Sequence, residues 1–250
     1  MIRRSDKLPE ETGFLGSLGR KEIKDRVGRL LFSGDWARNI EKLKELPPNK
    51  VLRHLLSALH SSDEKIKWAA VTAAGMIIAS LSEKDMEAAR NFMRRFMWSL
   101  NDESGNIGWG IPETMGETLA RSPRLAEEFA HILVSYIRED GNFLEFEQLQ
   151  RGAVWALGRL AQVNPRLLQS LGTAHYVLPC LKSSDATIRG LAAWAMGMIG
   201  GKDSLFQLEG LLSDTAEIKI FRNQKLASSS VSELAKEAGE LITSHADRPP

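Results

Sequence analysis

Cysteine is nearly absent from this chain: Cys180 is the only one in 250 residues. An internal disulfide is therefore excluded, and with no second cysteine and no close histidine pair no familiar zinc spacing can be assembled. Net charge is almost absent too. Thirty-three basic against 32 acidic residues leave +1, so no whole-molecule field draws the chain onto nucleic acid or anionic lipid. Long apolar runs are missing. The longest, WAAVTAAGMIIASL from Trp68, stops at fourteen residues, several short of a bilayer span. The N-terminal MIRRSDKLPEETG has basic residues with no apolar segment behind them, which argues against a secretory signal. A soluble protein of the reducing cytoplasm is expected. No phosphate loop or dinucleotide fingerprint occurs, nor the Asp-rich spacing of a calcium hand. Cys180, after the apolar YVLP and without a basic activator, reads as an inert buried thiol. No catalytic set, metal or cofactor is expected.

What is present is a repeat. The segments WAAVTAAGMI, WGIPETMGET, RGAVWALGRL and GLAAWAMGMI align on Gly75, Gly116, Gly158 and Gly197, spaced by 41, 42 and 39 residues. A fainter copy from Ser230 places Ala235 another 38 on, and DRVGRLLF around Gly28 reads as a degenerate first copy. Between the copies lie amphipathic stretches such as DMEAARNFMRRFMWSL and RLAEEFAHILVSYI, with apolar residues three and four apart. Each unit is a pair of helices. Ala70, Ala153 and Ala192 sit five before their glycines, and small residues at such sites let neighbouring helices approach closely, at some cost in helix propensity. Units of this kind bury their apolar faces on one another as an α-solenoid.

An aspartate in the turn before each glycine-bearing helix serves as a ruler. Asp63 to Gly75 and Asp185 to Gly197 are both 12 residues, whereas Asp102 to Gly116 is 14, Asp140 to Gly158 is 18 and Asp214 to Ala235 is 21. Three turns thus carry insertions at the same edge, and insertions gathered on one face of a repeat array mark its binding face. In NDESGNIGWGIPETMGE, Pro112 is tolerable only in a first helical turn, so a helix start is expected near Gly110 to Pro112. From Asn101 to Gln150, ten carboxylates face three arginines, a local balance of minus seven, which favours a basic or amphipathic peptide and repels a phosphate backbone. The candidate protein-binding residues are Asp102, Glu103, Asn106, Trp109, Glu113, Glu145, Glu147, Arg151, Trp155 and Arg189. Four tryptophans, Trp68, Trp109, Trp155 and Trp194, lie just before repeat glycines and either grip a ligand or fill the wedge between repeats.

The period, and the order of turn Asp, basic residue and Ala-x-x-Ala-hydrophobic-Gly, resemble HEAT-like repeats from Asp35 to Ile242, with SSDATIRGLAAWAMGMIG carrying the resemblance best. The resemblance implies an all-α, right-handed α-solenoid of about five HEAT-like helix pairs, with the glycine-bearing helices on the inner curve. Residues 1–34 then form a partly helical N-terminal segment, read as a degenerate capping repeat, and residues 243–250 a flexible tail. NDESGNIGWGIPETMGE with its flanks also looks like a family of HEAT-repeat proteins from sulfate- and metal-reducing bacteria, for which no activity is implied. Two other HEAT-like branches give alternatives. In the alkylpurine DNA glycosylases the stretch before a Pro-x-x-x-Gly helix is similar to WGIPETMGE, but their catalytic aspartate falls on Gly108; the bilin lyases share the repeat but no lyase motif.

The functional expectation is a non-enzymatic scaffold that binds a protein segment through its concave groove and the expanded turns near 102–113 and 139–150. The competing expectation is an enzyme or cofactor handler built around Asp102, Glu103, Trp109, Glu113 and Arg151. DNA binding through the basic N-terminal arm and Arg90, Arg94 and Arg95 is a third.

Overall fold

The computed structural model describes residues 19–32, 40–101 and 108–246. Helix α1 (Arg20–Phe32) packs Ile23, Val27 and Leu31 against the first helix pair, α2 (Pro48–Ala58) and α3 (Glu64–Lys84). The next pairs are α4 (Met86–Leu100) with α5 (Ile111–Arg121), and α6 (Pro123–Ser135) with α7 (Glu147–Ala161). In the fourth pair the outer member is broken into α8 (Pro165–Ser170), α9 (Thr173–Val177) and a 3-10 turn Leu178–Lys182, opposite α10 (Ala186–Ile199). Pro179 and Gly172, at φ +65°, account for the breaks. The fifth pair is α11 (Leu205–Glu209) with α12 (Val231–Ala246). The glycine-bearing helices α3, α5, α7, α10 and α12 pack side by side in that order. The fold is an all-α solenoid.

The two helix layers differ in pattern because they differ in neighbours. Outer helix α4 buries only Ala89, Phe92, Met93 and Phe96, one stripe at helical spacing. Inner helices α3 and α10 are buried nearly all round, α10 because it lies between α7 and α12, and α3 because α5, α2, α4 and α1 all pack on it and Phe221 covers Trp68. The closest approaches fall on the repeat glycines. A Cβ at Gly116 would lie 2.5 Å from the Ala156 Cα, and one at Gly197 2.8 Å from the Ala238 Cα. At Gly75 it would meet Glu117 Cγ at 2.7 Å, and at Gly158 the ring of Trp194 at 2.5 Å. The regular glycine spacing is thus the spacing of inter-helix contacts.

The longest insertion contains a feature the helical reading did not anticipate. Strands β1 (Glu217–Arg222) and β2 (Lys225–Ser230) form an antiparallel hairpin. Asn223 and Gln224, at φ 52° and 60°, make the two-residue turn; positive φ at both positions is the type I′ geometry that matches strand twist. The hairpin lies across the inner helices. Ile218 packs at Gly190 of α10, and Phe221 stacks on Trp68 of α3 with centroids 4.6 Å apart and planes 7° from parallel. Lys219 Nζ reaches Glu64 Oε2 at 2.9 Å, a bond between residues 155 apart in sequence.

Candidate functional site

Helix α5 begins where its proline requires. Gly110, at φ +70°, is the N-cap, and Pro112 sits in the first turn, where no amide is needed. The left-handed backbone there excludes a side chain in its own right, and a Cβ would also crowd Leu59 at 3.1 Å. This turn places Trp109 against Phe146 from the second stretched turn, edge to face at 5.5 Å. The hairpin, grown from the third, closes the same space. Around it lies a pocket of about 340 Å³ whose walls include Trp68, Trp109, Glu113, Arg151, Trp155 and Lys219. A smaller pocket of about 170 Å³ lies at the hairpin tip, beside Glu117, Arg121 and Arg159.

Two carboxylates are buried in α5 and both are paired. Glu113 is 4% exposed and accepts from Lys67 Nζ at 2.7 Å. Glu117 is 3% exposed and accepts from Arg121 Nε at 2.5 Å and Arg159 Nε at 2.6 Å. A buried carboxylate without such partners would cost several kcal/mol, so these pairs hold three successive inner helices in register. A second set runs along the rim. Arg151 binds Asp185, the N-cap of α10, and Arg189 binds Asp214 at 2.8 Å together with the carbonyls of Ser183 and Ser184.

Burial pushes the Asp185 carboxyl up, but the hydrogen bonds from Arg151 and the Ile188 amide lower it by more, leaving it below its ordinary 3.8. Asp214 is lowered in the same way, burial opposing Arg189 and the Ala216 amide. The unfolded chain therefore takes up these protons before the folded one does. The stability they contribute is complete above the ordinary value and is lost as pH falls through the depressed one. Thermal unfolding followed by circular dichroism should show the midpoint dropping between about pH 5 and pH 2, with a shallower fall in Asp185→Asn.

Of the ten sequence-derived candidates, Trp109, Glu113, Arg151 and Trp155 come together in the larger pocket. Asp102, Glu103 and Asn106 lie outside the described residues. Glu145 and Glu147 are exposed just before Gln148, which lines the pocket. Arg189 belongs to the rim pairs and is not among the pocket residues. Trp155 is 2% exposed, its indole N–H donating to the Phe221 carbonyl at 2.7 Å; Trp194 is buried against Gly158. Sequence reasoning missed the hairpin's contribution to the pocket, Glu217 to Lys219 and Leu226. The alternation of Ile218 and Ile220 with charged residues was the available signal. The arginines considered for DNA are engaged: Arg90 binds Glu128 through two nitrogens, Arg94 binds Glu87, and Arg95 lies over Phe92. Cys180 is half-buried, and burial raises its thiol to about 11. Among the described residues no group of three or more His, Cys, Asp or Glu is placed to hold a metal ion, and no helix is long and apolar enough to cross a membrane.

With this geometry in hand, comparison with known proteins bears on the fold. A family model for a HEAT-like repeat matches residues 147–199, the span of α7 through α10. An uncharacterised protein of Archaeoglobus fulgidus is 29% identical over 121 residues, covering 48% of this chain and 57% of that protein. The chain thus spans little more than half the length of that relative. Among solved structures, a designed armadillo repeat protein superposes with a TM-score of 0.53 at 19% identity, covering 89% of this chain and 92% of its own. Kap121p gives 0.52 at 12% identity, covering 89% of this chain and 24% of its own. A designed armadillo repeat protein in complex with the peptide (KR)4 gives 0.50 at 19% identity, covering 88% and 99%. Helix pairing, glycine contacts and these similarities agree that the chain is an α-helical repeat protein with the solenoid fold of HEAT and armadillo arrays.

Proposed function

We propose that this protein is a non-enzymatic scaffold that binds a basic or amphipathic protein segment at the rim pocket, in the cytoplasm. The reading keeps the resemblance to HEAT-repeat proteins of sulfate- and metal-reducing bacteria. What carries it is convergence: Trp109, the start of α7 after the second stretched turn, and the hairpin all border one pocket. Three insertions at one edge are hard to account for by stacking alone, because the repeats at Asp63 and Asp185 manage without any. The pocket combines indole faces with exposed carboxylates at its mouth, a chemistry suited to Lys or Arg side chains. Supporting it further, a designed armadillo repeat protein of this fold holds a (KR)4 peptide. Acid–base catalysis is disfavoured because Glu113 and Asp185 each hold a cation.

Titration of a fluorescently labelled (KR)4 peptide into the wild type, and into Glu145→Lys, Glu147→Lys, Trp109→Ala combined, tests this. Glu145 and Glu147 are exposed and Trp109 half-buried, so the helical circular dichroism should persist while affinity drops at least about tenfold, as expected from reversing two exposed charges in the proposed interface. Equal affinity for both proteins would remove the pocket from the interface.

A further inference from the structure

The hairpin brings to the pocket the outer edge of β1. Arg222 faces Lys225 across the two-residue turn, Ile220 faces Ala227 and Ile218 faces Ser229. In such a hairpin the pair flanking the turn exchanges both backbone hydrogen bonds, and bonded pairs then alternate along the ladder. Ile218, Ile220 and Arg222 therefore turn their backbone groups toward β2, and Glu217, Lys219 and Phe221 turn theirs away. Two bonds agree with this parity. The Ala216 carbonyl, one alternate step earlier, accepts from the Val231 amide at 3.0 Å on the inner side. The Phe221 carbonyl, on the outer side, accepts from Trp155 Nε1 at 2.7 Å.

Trp155 thus satisfies the outer edge at Phe221. At Lys219 and Glu217 the pocket takes over, with Arg151 and Gln148 among its other walls. Strand edges are usually blunted by charged side chains, proline, a bulge or a covering element; β1 carries the charges of Glu217, Lys219 and Arg222, of which the Lys219 ammonium is tied to Glu64. In this segment no proline occurs and the pairing with β2 is unbroken from Glu217 to Arg222. Charge selects the occupant. The cations at the pocket are each matched, Lys67 by Glu113, Lys219 by Glu64 and Arg151 by Asp185. Glu217, exposed and lining the pocket, has no such cation among the described residues, and Glu145 and Glu147 are exposed in the segment leading to Gln148 of its wall.

We propose that the outer edge of β1 at Glu217 to Lys219 receives an extended basic segment of a partner protein, which adds as a short third strand by hydrogen bonding to the Lys219 backbone. The proposal rests on the binding role of the pocket given above and adds how the segment is held. An added strand sends alternate side chains to opposite faces, so every second residue enters among Trp68, Trp109 and the carboxylates while the others point to the opposite face. The partner is thereby specified as a segment with Lys or Arg at alternate positions.

The test places the change on the peptide, leaving the protein untouched. An octapeptide of alternating arginine and serine is compared by calorimetric titration with two versions, N-methylated at the first and third arginines or at the first and third serines. Strand addition requires one version to lose about tenfold or more in affinity, as expected from a lost backbone bond and a methyl group aimed at the edge, and the other to bind like the parent. Parent-like binding by both versions, or equal loss from both, would overturn strand addition while leaving the pocket as a peptide site. Failure of the parent peptide to bind would overturn both.

Discussion

Phe221→Ala is expected to destabilise the fold by about 3–5 kcal/mol, the range for truncating a buried phenylalanine. Phe221 is 6% exposed, stacked on Trp68 and close to Trp155. The loss should exceed that of a leucine of equal burial, because the ring joins α3 to a hairpin anchored on α10 and α12. Chemical denaturation followed by tryptophan fluorescence gives the difference directly. The control is Phe206→Ala, on a side chain 79% exposed, which should change stability by no more than about 0.5 kcal/mol. Equal effects from the two substitutions would mean that the hairpin contributes nothing to holding the inner helices.

Gly116→Ala should cost about 3 kcal/mol, toward the upper end of overpacking penalties. On propensity alone the substitution would favour the helix by up to about 1 kcal/mol, so its sign separates packing from propensity. The added Cβ would lie 2.5 Å from the Ala156 Cα and 3.0 Å from the Ala156 carbonyl oxygen. Backbone atoms cannot swing aside as a side chain does, so α5 and α7 would have to separate. Gly201→Ala, where nothing lies within 4 Å of the new atom, should be close to neutral by the same denaturation assay.

The repeat architecture was legible because packing imposes it on the sequence. Gly75, Gly116, Gly158 and Gly197 recur since each faces a neighbouring helix too close for a side chain, and a constraint repeated every unit leaves a period. The start of α5 was readable from Pro112 for an equally local reason. The hairpin was not. Its turn, Asn223–Gln224, lacks the glycine that announces most such turns, and its hydrophobic alternation covers too few residues to stand out in a helical chain. The fate of the charged candidates was likewise hidden, since a sequence shows Arg151 and Arg189 without showing that Asp185 and Asp214 lie against them. The pairing depends on the register in which neighbouring units stack, a tertiary quantity. Trp155 illustrates the same limit: its place on a glycine-bearing helix was readable, but its indole bond to Phe221 was not.

The Lys219–Glu64 and Phe221–Trp68 contacts tie the last unit to the first complete one. An open coil of repeats behaves as a spring whose units can peel off one after another, each held only by its neighbours. A cross-brace changes the mechanics: pulling on either end loads the whole arch, and fraying at one terminus must break contacts at the other. Such a body should keep a fixed curvature and melt in one step, presenting its rim as a rigid jaw.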